Sequence, residues 1–338
     1  ENSWVSRDAF AYSLSYFKDD YLSVGLPPFN TGMLPMSEHP SSAELFNGNI
    51  RSMNTTLKKP QTYDILPLAR AFTYDQLNRI VGSLSYEGLN LSTNEWSGTS
   101  TQKYAASYTY DPAGNIKTLN RKGNDLAALD MDELSYTYMV NTNKLVRVSD
   151  NTALTGNYTQ DIDHQASSTN YTYDNIGNLV SDAAEEIADI EWTVYGKVKK
   201  VTRSSGSLKP DLEFTYGPTG QRLSKKIIPK DNSPEKITYY YHDAQGNVMA
   251  MYTHTDSETP KFTLDEHVIY GSSRLGLRKS GLELLGYIPT EGAVKRKRGL
   301  KRYELVNHLG NVNAVISDCR NRICEEGYIS HYEADIIN

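Results

Sequence analysis

One phrase recurs along this chain, and it constrains the fold more than any other feature. Tyr108-Thr109-Tyr110-Asp111-Pro112-Ala113-Gly114-Asn115-Ile116 returns as Tyr171-Thr172-Tyr173-Asp174-Asn175-Ile176-Gly177-Asn178-Leu179. Looser copies are Phe72-Thr73-Tyr74-Asp75-Gln76-Leu77-Asn78-Arg79-Ile80, Phe214-Thr215-Tyr216-Gly217-Pro218-Thr219-Gly220 and Tyr240-Tyr241-His242-Asp243-Ala244-Gln245-Gly246-Asn247-Val248. A phrase returning at intervals of roughly 20–35 residues is the mark of a repeat architecture, in which each unit packs on its neighbours. Such repeats build surfaces and containers more often than active sites.

Each copy reads as strand, tight turn, strand. Tyr108 and Tyr110 are two residues apart, so an extended chain puts them on one face and Thr109 on the other. Tyr, Phe and Thr suit a pleated, half-buried surface. Asp111 suits the first position of a type I turn, because its carboxylate can accept from the N–H groups ahead of it. Pro112 pre-sets the next φ, and Gly114 supplies the left-handed conformation that closes a bulged hairpin loop. By the same logic the structural turn residues are Asp75, Asp111, Gly114, Asp174, Gly177, Gly220, Asp243, Gly246 and Gly310.

The phrase resembles the YD repeats of the Rhs/YD-repeat family, whose core pattern is Tyr-x-Tyr-Asp-x-x-Gly-Asn-hydrophobic. Glu191-Trp192-Thr193-Val194-Tyr195-Gly196-Lys197-Val198 is similar to a recurrent variant of that repeat. Tyr270-Gly271-Ser272-Ser273-Arg274-Leu275-Gly276 and Tyr303-Glu304-Leu305-Val306-Asn307-His308-Leu309-Gly310-Asn311-Val312 resemble the run into the Rhs-associated core, in the manner of the Bacteroidetes group. Weaker copies are Tyr12-Ser13-Leu14-Ser15-Tyr16 with Asp19-Asp20-Tyr21, the turn half Asn47-Gly48-Asn49-Ile50, and Tyr136-Thr137-Tyr138 with a longer turn through Lys144.

The expected fold is therefore all-β. About eight to eleven hairpin units form a single segment over residues 1–338, loop-rich at 22–60 and approaching the core over 264–338. Continued pairing of twisted hairpins gives a curling sheet. The resemblance, and not the composition, implies that the curl is part of a hollow spiral shell, or cocoon, akin to the YD shells of teneurins. It further implies a structural protein, secreted or on a bacterial cell surface, that encapsulates a C-terminal toxin or effector domain for interbacterial competition. The partners it implies are the rest of the shell, that cargo, secretion machinery or an immunity protein. The family's core-terminal segment, where some members cut themselves using aspartates, is expected beyond Asn338, so no Asp here is assigned that role.

Composition agrees with a wall that has two wet faces. The chain has 25 Tyr against 7 Phe and 3 Trp, and a phenol can pack its ring while leaving its hydroxyl at water. A net charge of −6 gives no general reason to expect a nucleic-acid partner. The basic run Lys295-Arg296-Lys297-Arg298 with Lys301-Arg302 reads as a solvated loop leading into a strand at Tyr303, against the alternative of a targeting or anion-binding patch. No apolar stretch reaches the roughly 18 residues of a membrane helix, and the start at Glu1-Asn2-Ser3-Trp4 lacks a signal-peptide pattern.

Catalytic motifs are absent from the sequence, and no cofactor or metal is expected. There is no phosphate-binding glycine loop, no His-Glu-x-x-His and no Gly-x-Ser-x-Gly. Gly271-Ser272-Ser273-Arg274-Leu275-Gly276 reads as a turn. Asp161-Ile162-Asp163-His164 has too few oxygen ligands for calcium. Asp182, Glu185, Glu186 and Asp189 raise a glycosidase alternative, set against an exposed linker. Residues 125–134 admit a short turn of helix. His242 takes the place of a wall tyrosine, and His308 stands in a turn. Cys319 and Cys324 bracket an expected hairpin turn, where a disulfide, free thiols or a zinc site with His308 and His331 are the alternatives. The second functional reading is a surface module in which rows of tyrosines bind glycans or another protein.

Overall fold

The computed structural model describes residues 10–17, 20, 45–58, 65–90, 96, 100–152, 158, 162, 164–286, 299–325 and 328–337, the side chains of residues 58, 65, 66 and those from 319 onward excepted. Among them every regular element is a β-strand. The chain divides into two compact units, Asp8–Thr169 and Asn170–Asn338, where the sequence reading treats 1–338 as one segment.

The first unit is an eight-stranded antiparallel sheet. Its strands are β1 (Phe10–Ser15), β2 (Ser52–Lys58), β3 (Ile65–Tyr74), β4 (Ile80–Tyr86), β5 (Thr101–Tyr110), β6 (Ile116–Lys122), β7 (Asp130–Tyr138) and β8 (Leu145–Asp150). The second unit is a thirteen-stranded sheet. It begins with β9 (Tyr171–Tyr173), β10 (Leu179–Asp182), β11 (Ile187–Trp192), β12 (Val198–Arg203), β13 (Asp211–Tyr216) and β14 (Arg222–Ile228). It continues with β15 (Glu235–His242), β16 (Val248–Asp256), β17 (Lys261–Tyr270), β18 (Arg274–Glu283), β19 (Lys301–Val306), β20 (Val312–Glu325) and β21 (Tyr328–Ile337). In both sheets each strand pairs with its neighbour in sequence, with no crossover. The fold is thus an all-β run of consecutive hairpins, consistent with a curling sheet.

Burial follows the tyrosine-rich composition. In the first unit Ala69, Ala71, Tyr86 and Trp96 form a small core, joined by Leu84 and Leu89. Elsewhere buried apolar residues are sparse: Leu134 and Val148 in one sheet, and in the other the cross-strand pair Ile190–Val201 with Ala250, Leu264 and Val268. Most strand positions are half-buried. On β15–β17, Phe262 stacks on Tyr252 with ring centroids 5.7 Å apart and meets Tyr239 edge-on at 6.3 Å.

Four expectations change. Residues 125–134 contain no helix: Asp125 Oδ1 accepts from the N–H of Ala127 at 2.9 Å, closing a turn, and β7 then pairs with β6 from Asp130. The loop closes on itself, with Ala128 N–H to Asp125 O at 3.1 Å and Gly123 N–H to Leu129 O at 2.7 Å, and the ladder with β6 claims the residues that a continuing helix would need. Residues 182–189 are no linker but the hairpin β10–β11, with a turn at 183–186. Tyr12–Tyr16 and Asn47–Ile50 are two halves of one hairpin rather than separate repeats, since β1 pairs with β2 and Leu45 N–H donates to Tyr16 O at 2.9 Å. Finally, β20 runs through both Cys319 and Cys324 to Glu325, which pairs with Tyr328, so no turn separates the cysteines. Five residues along a strand span about 16 Å, well beyond disulfide reach. Their side chains lie outside the described residues, as do Asp161, Asp163, His331 and the basic run 295–298.

Candidate functional site at the hairpin turns

In a meander, alternate connections leave the sheet at the same edge. The signature turns are such alternate connections, so topology gathers them along one edge of each sheet and leaves the irregular connectors on the other.

Where a signature turn opens on Asp or Asn it is built around that side chain, and the Gly217 turn is closed by backbone bonds alone. At Asp174, Oδ1 accepts from the N–H groups of Ile176 (3.0 Å), Gly177 (2.7 Å) and Asn178 (2.8 Å), while Oδ2 accepts from Asn178 Nδ2 at 2.9 Å. Asp111 holds Asn115 in the same two ways at 2.9 and 2.8 Å, and Asp243 holds Asn247 at 2.8 and 2.9 Å. At Asp75 the fifth residue is Arg79, whose N–H and Nε take the two carboxylate oxygens at 2.9 and 2.6 Å. Asn307 does the same for Leu309 and Asn311 with one oxygen. The backbone closes each loop twice, as in Asp174 N–H to Asn178 O (2.9 Å) and Gly177 N–H to Asp174 O (3.2 Å). The fourth residue is left-handed throughout, with φ of 90° at Gly114, 100° at Gly177, 81° at Gly220, 88° at Gly246, 80° at Gly310 and 61° at Asn78. A strand register shift follows each loop, as between Thr109 and Tyr110. This is a type I turn with a bulge. The copy after Tyr138 closes one residue later, from Met139 N–H to Lys144 O, with Asn141 left-handed.

These bonds lower the carboxylate pKa values. The Arg79 N–H holds Asp75 below its ordinary range, and the Asn115 and Asn247 amides do so for Asp111 and Asp243. At Asp174 desolvation pushes upward, but the four donors from Asn178, Gly177 and Ile176 outweigh it.

A second set of bonds joins one hairpin to the next. The aromatic residue entering a turn donates to the carbonyl of the apolar residue leaving the previous turn. Tyr74 Oη reaches Ile50 O at 2.8 Å, Tyr110 reaches Ile80 at 2.6 Å, and Tyr138 reaches Ile116 at 2.9 Å. In the second sheet Trp192 Nε1 reaches Leu179 O at 2.8 Å, Tyr216 Oη reaches Val198 at 2.8 Å, and Tyr270 reaches Val248 at 3.1 Å. Burial raises the phenol pKa of Tyr74 and Tyr110, keeping the donor proton in place. Turns also touch directly: Arg79 Nη1 donates to Asp111 O at 3.2 Å, its guanidinium lies 4.6 Å over the Tyr110 ring, and Asn115 Nδ2 reaches Asn143 Oδ1 at 2.9 Å. The threonines between the paired aromatic residues form cross-strand hydroxyl pairs, Thr109–Thr118 (2.6 Å), Thr172–Ser181 (2.5 Å) and Thr215–Ser224 (2.7 Å).

The tips of the turns are apolar and exposed, notably Leu77, Ile176, Val194, Tyr195 and Leu309. Between two adjacent tips, Thr193–Lys197 and Phe214–Gly220 line an open groove of about 670 Å³.

Of the other sequence candidates, Gly271–Ser273 is a tight turn closed by Gly271 N–H to Ser273 O. Glu185 pairs with Lys209 at 2.8 Å, which holds its carboxyl low, and Glu186 accepts from Ser207 Oγ. Asp182 accepts from Asn170 Nδ2 at 2.8 Å. Asp189 pairs with Thr202 on β11–β12, and His242 with Val248 on β15–β16. His308 occupies the Asn307 turn. Among the described residues no group of three metal-ligating side chains occurs, and there is no helix long and apolar enough to cross a membrane. The inter-hairpin bonds escape a reading of the sequence because their acceptors are backbone carbonyls, although the apolar residue ending each phrase marks their position.

Fold and site together define a repeat protein: stacked β-hairpins with self-closing turns, stitched edgewise. No protein-family model matches the chain, and no curated protein matches it significantly.

Proposed function

We infer that the chain is a wall section of an Rhs/YD-type shell, whose task is to confine a toxin or effector encoded with it and carry it to the outside of a bacterial cell. The observation that supports this reading is the repeated tie from turn-entering aromatic to turn-leaving carbonyl, made six times over the two sheets. It reinforces an extended wall along its edge without a thick apolar core, the property a container needs. Confinement is physical, with the wall's polar and aromatic groups facing the cargo, and the remaining shell, secretion machinery and an immunity protein are the partners it calls for. Limited proteolysis of the full reading frame tests it. Cargo protected until denaturant opens the wall is expected, whereas cargo digested as fast as the isolated cargo domain overturns the reading.

A second reading, a surface module binding glycans or protein, rests on the aromatic group Tyr239, Tyr252 and Phe262, with Tyr241 64 % exposed beside it. Glycan-array binding lost in Tyr241→Ala favours it. The carboxylates of the glycosidase alternative are held by the β12–β13 connector, Glu185 by Lys209 and Glu186 by Ser207.

A further inference from the structure

A different part of the first sheet carries a binding site that the wall reading does not require. Between β4 and β5 the register advances from Ser83–Ala106 to Ser85–Thr101, so β5 accommodates several extra residues in a wide bulge. Inside the bulge Tyr104 is held at φ 58°, with its N–H donated to Gly123 O at 3.1 Å. A left-handed conformation is unusual for a bulky non-glycine residue, and bulges that re-aim a side chain concentrate beside binding sites. Here the bulge brings the Tyr104 ring under the Arg70 guanidinium, 5.7 Å from the ring centroid.

These two side chains border a cavity of about 300 Å³, open on one side, that Arg121 and Lys122 also line. The charges around it do not balance. Arg121 Nε is neutralised by the buried Asp132 at 2.7 Å, and Lys122 by Asp130. Arg70 is exposed and has no carboxylate partner among the described residues, so the site retains about one positive charge. Its remaining lining is part aromatic and apolar (Phe72, Tyr108, Met131) and part hydroxyl (Ser83 and the tyrosines).

We propose that this cavity binds one acidic sugar unit, a hexuronate of a polysaccharide, with its carboxylate on Arg70 and its ring against the tyrosine and phenylalanine side chains. The volume lies at the lower limit of small-molecule sites, which range over roughly 300–1,000 Å³, and suits one ring better than a peptide segment. A single unneutralised guanidinium selects one carboxylate, since such charge-assisted bonds are the strong ones. Hydroxyl donors and acceptors beside apolar ring faces complete the match to a saccharide. The proposal stands whether or not the wall confines cargo.

Titration of the purified chain with an oligogalacturonide, with the matching neutral galactose oligomer and with a glutamate-rich peptide, read by calorimetry, tests it. The expected result is saturable binding of the oligogalacturonide, at least about tenfold weaker binding of the neutral oligomer, and a similar loss in Arg70→Gln. Unchanged circular dichroism and melting of Arg70→Gln would show that its loss is not unfolding, and Lys236→Gln, in the other unit, should bind as the parent does. Absence of saturation, equal affinity for the neutral oligomer, preference for the peptide, or full binding by a folded Arg70→Gln would each overturn the proposal.

Discussion

The phenol of Tyr216 donates to the carbonyl oxygen of Val198 at 2.8 Å, tying the residue that enters one signature turn to the residue that leaves the turn before it. The bond explains two features of the phrase at once. The bond uses an aromatic residue with a terminal donor just before the turn, which Tyr supplies five times and Trp192 once. The final apolar residue occupies the place from which a carbonyl points along the sheet edge towards the next hairpin.

Replacing Tyr216 by Phe keeps the ring and removes this bond. Stability should fall by about 1 kcal/mol, the net worth of a typical intramolecular hydrogen bond. Tyr270→Phe, tied to Val248 further along the same sheet, should cost a similar amount, and the two losses should add because the sites share no partner. Urea denaturation of the two single variants and the double variant provides the measurement.

The turn aspartates make stability depend on acid. Asp75, Asp111, Asp174 and Asp243 all have lowered pKa values in the folded chain, so their stabilising effect is complete above the unfolded value of about 3.9 and disappears as pH falls through the folded values. Melting temperature should therefore drop between about pH 5 and pH 2. In Asp111→Asn with Asp174→Asn this acid limb should be shallower than in the parent, with melts at several pH values as the readout.

Gly276 and Gly114 should respond differently to alanine. At Gly276 a Cβ would stand 2.0 Å from the backbone oxygen of Arg302, so β18 and β19 would have to separate. A loss of about 2–3 kcal/mol is expected from such overpacking. At Gly114 a Cβ meets nothing within 4 Å, and only the left-handed backbone opposes it, at about 1–2 kcal/mol. Equal losses at the two sites in denaturant melts would contradict this account.

Arg121→Gln leaves Asp132 as a buried carboxylate without its cation. Asp132 is 2 % exposed, and its Oδ1 has no hydrogen-bond partner among the described residues. The expected loss is about 3 kcal/mol, the lower end for a broken buried pair, because the Arg121 side chain is itself 36 % exposed. Adding Asp132→Asn should recover part of that loss, as measured by calorimetric unfolding of both variants.

Local chemistry made much of this structure legible. The Asp–x–x–Gly–Asn segment specifies its own turn because its donors and acceptors lie within five residues of one another, as the Asp174 bonds show. The left-handed glycines and the alternation of Tyr and Thr follow from backbone sterics and the two-residue period of a strand. What misled was equally local. Tyr12–Tyr16 and Asn47–Ile50 each look like part of a repeat, and only the β1–β2 ladder reveals that they complete one hairpin across the intervening chain. The cysteines look like turn flanks until the register of β20 on β21 carries the strand past both.

By itself, then, the sequence determined an all-β chain of tyrosine-faced hairpins and the geometry of each signature turn, since those depend on contacts a few residues long. Tertiary structure alone decided which carbonyl each entering aromatic reaches, how the strands divide into two sheets, and how a bulge in β5 sets Tyr104 beneath Arg70. The physical reason is distance along the chain. Tyr104 and Arg70 lie on strands that are not even neighbours in the sheet, and no pattern within a few residues specifies which side chains a bulge will bring together.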